Sequence, residues 1–427
     1  MILSFRAAAG VLVMTSGLLL SGLRAEEPQS YFAGGTQPWP EELKAQLDEH
    51  ADILSLGINI DWLEKTRIDA ELYVEAIART AEAVKAGRLS GAVVHVSRLD
   101  GTMLPIAVGH MMSDPRRMPL HRTTRYSVQD LTGPVVTVPL VFQAINDRKL
   151  SHGTRLDEHF GELEGTALGR VSVLELLQHR SGLPGEWPHD EAFEDRSGLL
   201  AALAEWHTEP EVLMRASASA LNYAVLGMLV ERVTGESLRD MAVELFGDEA
   251  QRGAEDPLIA LAAADGLRHS IAPGRYSERL RRMVWAEPDE PVAELLTPHA
   301  GHWGLITSAD ALAAMVSRSI MASAIFEGWA RRMSVPMVGE SAPRMGPGVM
   351  SGRFGPDSFG WDSPTGSSVW ALPSERAYII FLSNMDHPDG VDPEADDPRD
   401  VILPLLAEAI GWQKESQPAR EERETGR

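Results

Sequence analysis

The sequence predicts one α/β domain in which strands from both ends of the chain enclose a helical insertion. Three observations carry that expectation. A β-branched run, Gly91–Val96 (GAVVHV), lies early in the chain. Two apolar runs near the end, Ser367–Ala371 and Tyr378–Leu382, are separated by a turn containing Pro373-Ser374-Glu375, the signature of a hairpin. Between these ends the apolar residues recur with helical spacing.

The elements follow in order. After a Pro-Trp-Pro punctuation at 38–40, a helix starts near Glu41. A longer helix spans Asp69 to Ala86, with Leu72, Ile77, Ala81 and Val84 on one face and Gly87 as its stop. The strand Gly91–Val96 finds a partner around Met103–Val108. Helices are expected over Pro134–Asn146, Val171–Gln178, Ala220–Thr234 (stopped by Gly235) and Ser308–Met321. The C-terminal hairpin, the acidic loop Asp386–Asp400 and a last helix Val401–Ile410 complete the domain. No internal repeat is present.

Composition bounds the function. The 427 residues are 44% hydrophobic, enough for a large core, and carry a formal net charge of −23. An acidic chain with a pI near 5.0 does not track phosphates, so nucleic acid is not expected as a partner. With no cysteine, the chain has no disulfide, no cysteine-ligated metal and no thiol nucleophile.

Residues 1–25 read as a secretory signal peptide: Arg6 near the start, an apolar run over Ala7–Leu20 and the small Ala25 before Glu26-Glu27. The run is short for a spanning helix. Leu23 stands where a lipoprotein needs cysteine. Residues 26–67 form a polar lead-in, 68–412 the domain, and 413–427 a charged, disordered tail. The expected location is periplasmic or extracellular, with no membrane span after cleavage.

Five segments then carry a resemblance. They are Thr124–Leu150 (TRYSVQDLTGPVVTVPLVFQAINDRKL), Val171–Pro184 (VSVLELLQHRSGLP), Leu221–Leu238 (LNYAVLGMLVERVTGESL), Ala300–Met315 (AGHWGLITSADALAAM) and Phe359–Asn384. In order and spacing they resemble the serine β-lactamase and penicillin-binding-protein superfamily, in its class C-like, esterase and DD-peptidase branch. The resemblance implies an antiparallel sheet flanked by helices with a helical subdomain inserted. It also implies three catalytic motifs: Ser-x-x-Lys at a helix start, Tyr-x-Asn, and Lys/His-x-Gly on a strand.

All three motif positions hold other residues. The ungapped match puts Asp130 and Gly133 at the serine and lysine, Ala218 to Ala220 at Tyr-x-Asn, and Trp361, Asp362 and Ser363 at Lys/His-x-Gly. The motifs have not moved elsewhere. The five lysines (44, 65, 85, 149 and 414) are preceded at i−3 by Glu41, Trp62, Glu82, Asn146 and Gly411, and no tyrosine begins Tyr-x-Asn. His-x-Gly occurs at His299–Gly301 and His302–Gly304, before the Ser308 helix and not on the hairpin strand. Losing one member of a coupled nucleophile–base unit costs on the order of 10⁶ in turnover. An oxyanion hole and binding alone leave about 10³–10⁴ over water. The expectation is therefore a secreted pseudoenzyme without catalytic residues, cofactor or metal, binding a muropeptide-like or acyl ligand or a protein partner in the envelope. The alternative is a hydrolase of this family with re-purposed residues such as Asp130, Asp362, Ser127 or Ser219.

Each residue singled out also has a plainer role. Asp130 suits a helix N-cap, stabilising by ~1 kcal/mol, and Asp362 an exposed strand position; facing each other they would instead form a carboxylate pair. Trp361 is expected to plug the former pocket in preference to offering a stacking platform. His299 and His302, with Trp303, lack the carboxylate spacing of a metal motif. The loop Asp386–Asp400 lacks calcium-loop spacing and reads as a solvated turn. His179-Arg180-Ser181-Gly182 resembles a structural turn and is assigned no chemistry.

Overall fold

The computed structural model describes residues 40–54, 60–98, 101–102, 105–185, 193–208, 216–250, 269–296, 300–317, 335–336, 344–346, 348–392 and 394–413. The signal-peptide segment, His299 and the tail from Lys414 lie outside the described residues.

Among the described residues a ten-stranded sheet organises the molecule. Its centre joins the two ends of the sequence: Gly91–Arg98 pairs antiparallel with Ala377–Ser383, with Val94 opposite Phe381. Ile106–Met112 lies on one side of that pair; Ser368–Leu372, Phe359–Asp362, Met350–Ser351, Arg344–Met345 and Val335–Pro336 follow on the other. The strand partner expected around Met103–Val108 is thus Ile106–Met112. The hairpin forms across Pro373–Glu375 as the sequence indicates.

Period-two alternation gives the sheet two apolar faces. Val94, Val96, Trp370, Ile379 and Phe381 pack on the helices Ala70–Lys85 and Arg399–Ala409. Leu43, Leu47 and Leu63, from the segment preceding Ile68, join this layer. Val93, Trp361, Val369, Ile380 and Leu382 face the opposite way, into the inserted helices. Three layers result, and the site lies between the sheet and the insertion.

Local chemistry sets the helix limits. Asp69 caps Ala70–Lys85, its Oδ1 accepting from the amides of Glu71 and Leu72. Ser172 and Glu175 form a capping box before Val173–Leu177. Leu221–Thr234 ends at Gly235, which takes the left-handed conformation. Ser308 caps Ala309–Val316. The expected helix Pro134–Asn146 splits into a π-turn, Gly133–Thr137, and the α-helix Val138–Asn146. Pro134 and Pro139 each withhold an amide from that ladder.

Among the described residues no helix is long and apolar enough to cross a membrane.

Candidate functional site

Alternation along Phe359–Asp362 sends its last two side chains to opposite faces. Trp361 points inward and is buried, and its indole N–H donates to Oδ2 of Asp130 at 2.8 Å. Asp362 points to the sheet's other packed face and its side chain is 15% exposed, not the exposed strand position expected, accepting from Ser368 Oγ at 2.7 Å and Trp370 Nε1 at 2.8 Å and pairing with Arg353. The carboxylate pair between Asp130 and Asp362 therefore does not form. Ser363 is buried beyond the strand end, its carbonyl accepting from Arg399 at 2.7 Å.

Asp130 lies in the turn Gln129–Leu131, after Gln129 at φ 45°, a strained region for a side-chain-bearing residue. It does not cap the helix that follows; its carboxylate turns inward to Trp361 instead. Burial raises its pKa, which the neighbouring Ser363 hydroxyl and the Trp361 indole N–H offset only partly. Among the described residues Oδ1 has no hydrogen-bond partner.

Tyr223, from the helix Leu221–Thr234, occupies the space beside Gly133. A Cβ built on Gly133 would stand 2.3 Å from Tyr223 Cγ. The phenol donates to the carbonyl of Gly348 at 3.0 Å, which fixes the ring. Gly301 permits a second close approach: at φ +74°, a Cβ there would lie 2.2 Å from the Tyr223 carbonyl oxygen.

His179 completes the cluster, its ring centroid 4.9 Å from Tyr223 and 5.5 Å from Trp361. Trp361 and Tyr223 meet edge to face at 5.5 Å. His179 Nδ1 accepts from the Ser219 amide at 3.0 Å, which places the ring proton on Nε2. Burial drives its pKa down to about 3, so the imidazole is neutral. The sequence reading gave this histidine and Tyr223 no place in the site. The all-round apolar helix containing Tyr223 was the available signal, since such a helix buries every face.

Above the aromatic cluster lies a cleft of about 300 Å³, lined by Asp130, Ala218, Ala220, His302, Trp303 and Trp361 among others. Ala218 is exposed at the rim and Ala220 half-buried. The Ser219 hydroxyl donates to the Pro184 carbonyl at 2.6 Å. A second compartment of about 600 Å³ shares Gln129, Glu290, Trp303 and Pro364 with the first. Among the described residues no lysine lines either one.

His302 donates from Nε2 to Glu290 at 2.6 Å and from Nδ1 to the Ala300 carbonyl at 2.9 Å. Both partners only accept, so both ring nitrogens carry protons. Burial opposes this charge, but Glu290 outweighs it and His302 titrates above its ordinary value. Glu290 also accepts the amides of Val292 and Ala293, capping Pro291–Leu296. The carboxylate partner of His302 is twelve residues away in the chain, outside any local motif. Among the described residues no group of three or more His, Cys, Asp or Glu could hold a metal ion.

The acidic loop also differs from a solvated turn. Asp386 is 5% exposed, and burial raises its pKa to about 6. Asp397 pairs with Arg399, whose guanidinium also holds the Ser363 turn.

An antiparallel sheet backed by its terminal helices, with a site between it and a helical insertion, defines the serine β-lactamase-like fold. The Beta-lactamase family model matches residues 76–402, and the chain belongs to that family. Three solved structures are similar at the level of fold. "EstCE1, a hydrolase with promiscuous acyltransferase activity" is 16% identical, with a TM-score of 0.59 over 80% of this chain and 98% of its own. A class C β-lactamase from Rhodobacter sphaeroides is 18% identical, with a TM-score of 0.58 over 78% and 99%. A β-lactamase/D-alanine carboxypeptidase from Pseudomonas syringae is 14% identical, with a TM-score of 0.56 over 79% and 99%. A comparison with curated proteins finds no match.

Proposed function

We propose that this chain is a non-acylating member of the β-lactamase family, a pseudoenzyme that binds a ligand in its cleft. The observation that carries the reading is the contact between Gly133 and Tyr223. With a Cβ at Gly133 excluded by a ring 2.3 Å away, no base-bearing side chain fits one helical turn after Asp130. The carboxylate at 130 is itself held by the Trp361 indole, and the nearby Ser219 hydroxyl is held by a carbonyl. The geometry thus gives no support to a re-purposed nucleophile at Asp130, Asp362 or Ser219. Export through residues 1–25, to the periplasm or beyond, belongs to the same proposal.

A substrate panel tests it. β-Lactam, p-nitrophenyl ester and D-alanyl-D-alanine substrates are expected to turn over no faster with the native protein than with Asp130→Ala. Turnover by the native protein that Asp130→Ala abolishes would overturn the reading.

A further inference from the structure

A small pouch of about 20 Å³ opens off the larger compartment, sharing Gln129, Val284, Thr365 and Asp386 with it. Three polar side chains lining it are buried with an oxygen that has no hydrogen-bond partner: the Tyr126 hydroxyl, Ser383 Oγ and Asn384 Oδ1. The residues are 1%, 2% and 4% exposed. The orientation of Asn384 is fixed, because its Nδ2 donates to the carbonyls of Met111 at 3.1 Å and Pro273 at 2.8 Å. Its Oδ1 is left to accept. A buried polar atom left without a partner costs about 1–3 kcal/mol, and the three oxygens on this pouch can share one donor.

The pouch supplies oxygens and takes donors. Asp386 adds a buried carboxylate that forms no ion pair among the described residues; its contact is the Arg275 amide, at 3.3 Å. A group the size of one water molecule with several N–H donors fits such a set, and a primary ammonium has three. Of the carboxylates lining the adjoining compartment, Asp289, Asp397, Glu290 and Glu287 are paired with Arg275, Arg399, His302 and Arg282, so among the described residues the negative charge left for a ligand is that of Asp386, beside the pouch.

We propose that the pouch is a recognition site for a primary ammonium group, with the body of the amine ligand lying in the 600 Å³ compartment. The ammonium's three N–H groups are shared among four acceptors, Asn384 Oδ1, the Asp386 carboxylate and the hydroxyl oxygens of Tyr126 and Ser383, the two hydroxyls sharing one N–H. The inference rests on the reading of the cleft as a ligand site and specifies its ligand as cationic.

Titration calorimetry on the full chain tests it, with n-butylammonium as probe and n-butyltrimethylammonium and n-butanol as controls, at constant ionic strength. Saturable binding of n-butylammonium at least tenfold tighter than either control is expected. Tyr126→Phe and Ser383→Ala remove hydroxyls without breaking a bond seen here. Each is expected to weaken the amine at least threefold while melting at or above the native temperature. No saturable amine binding, equal binding of the trimethyl analogue, or unchanged affinity in both variants would overturn the proposal. The calorimetry reads amine recognition whether or not the protein acylates, so its failure is distinct from failure of the non-acylating reading.

Discussion

At Gly133 an added methyl meets the Tyr223 ring, which the bond to Gly348 holds in place. Gly133→Ala is accordingly expected to cost about 1–3 kcal/mol of stability, the range for overpacking a filled core, measured by urea denaturation. At Trp361 the indole N–H is the donor on a buried carboxylate. Trp361→Phe keeps much of the packing and removes the donor, so about 1–3 kcal/mol is expected to be lost at pH 7. The cost shrinks as pH falls and Asp130 takes up its proton, which burial makes it do above the ordinary carboxylate value. Asp386 gives a third test. Its folded pKa is raised to about 6, so its contribution is present below the ordinary carboxylate value and is lost as pH rises through about 6. Asp386→Asn is expected to stabilise the protein by about 1–3 kcal/mol at pH 7 and to change little at pH 4.

Among the elements, the helix Pro291–Leu296 is tied to the loop before Ala309–Val316 by the pair Glu290–His302. His302 titrates above the ordinary imidazole value, so its stabilisation is complete below that value and is lost as pH rises through the folded pKa. The melting temperature should therefore fall as pH rises past the ordinary imidazole value, and Glu290→Gln should abolish that dependence. The same variant removes the partner that keeps His302 charged, so the buried imidazole becomes neutral, and the lost pair is expected to cost about 2–4 kcal/mol, less than a fully enclosed pair because Glu290 is partly exposed. Element limits were largely legible in the sequence, because caps act within one turn: Asp69, Ser172, Gly235 and Ser308 each sit where their helix begins or ends. The opposite facing of Trp361 and Asp362 was legible too, from strand alternation, and it rules out a carboxylate pair that residue types alone allowed. Glu290–His302 was not legible, since nothing local marks a carboxylate and an imidazole that meet only through the fold.

For the whole molecule, the pairing of Gly91–Arg98 with Ala377–Ser383 turns two distant ends of the sequence into one sheet, and the helices between them become the lid of the site. The order of the five family-like segments carried that architecture. The contents of the site were harder to read, because they depend on contacts between elements far apart: Asp130 with Trp361, Gly133 with Tyr223, and His179 with both rings. These contacts make the non-acylating reading a claim about packing as well as about missing residues. Its most direct test is the intact mass of the native protein after incubation with a penicillin. An unchanged mass is expected. A stable gain of one penicilloyl group, mapped to the peptide containing Ser127 to Gly133, would contradict it.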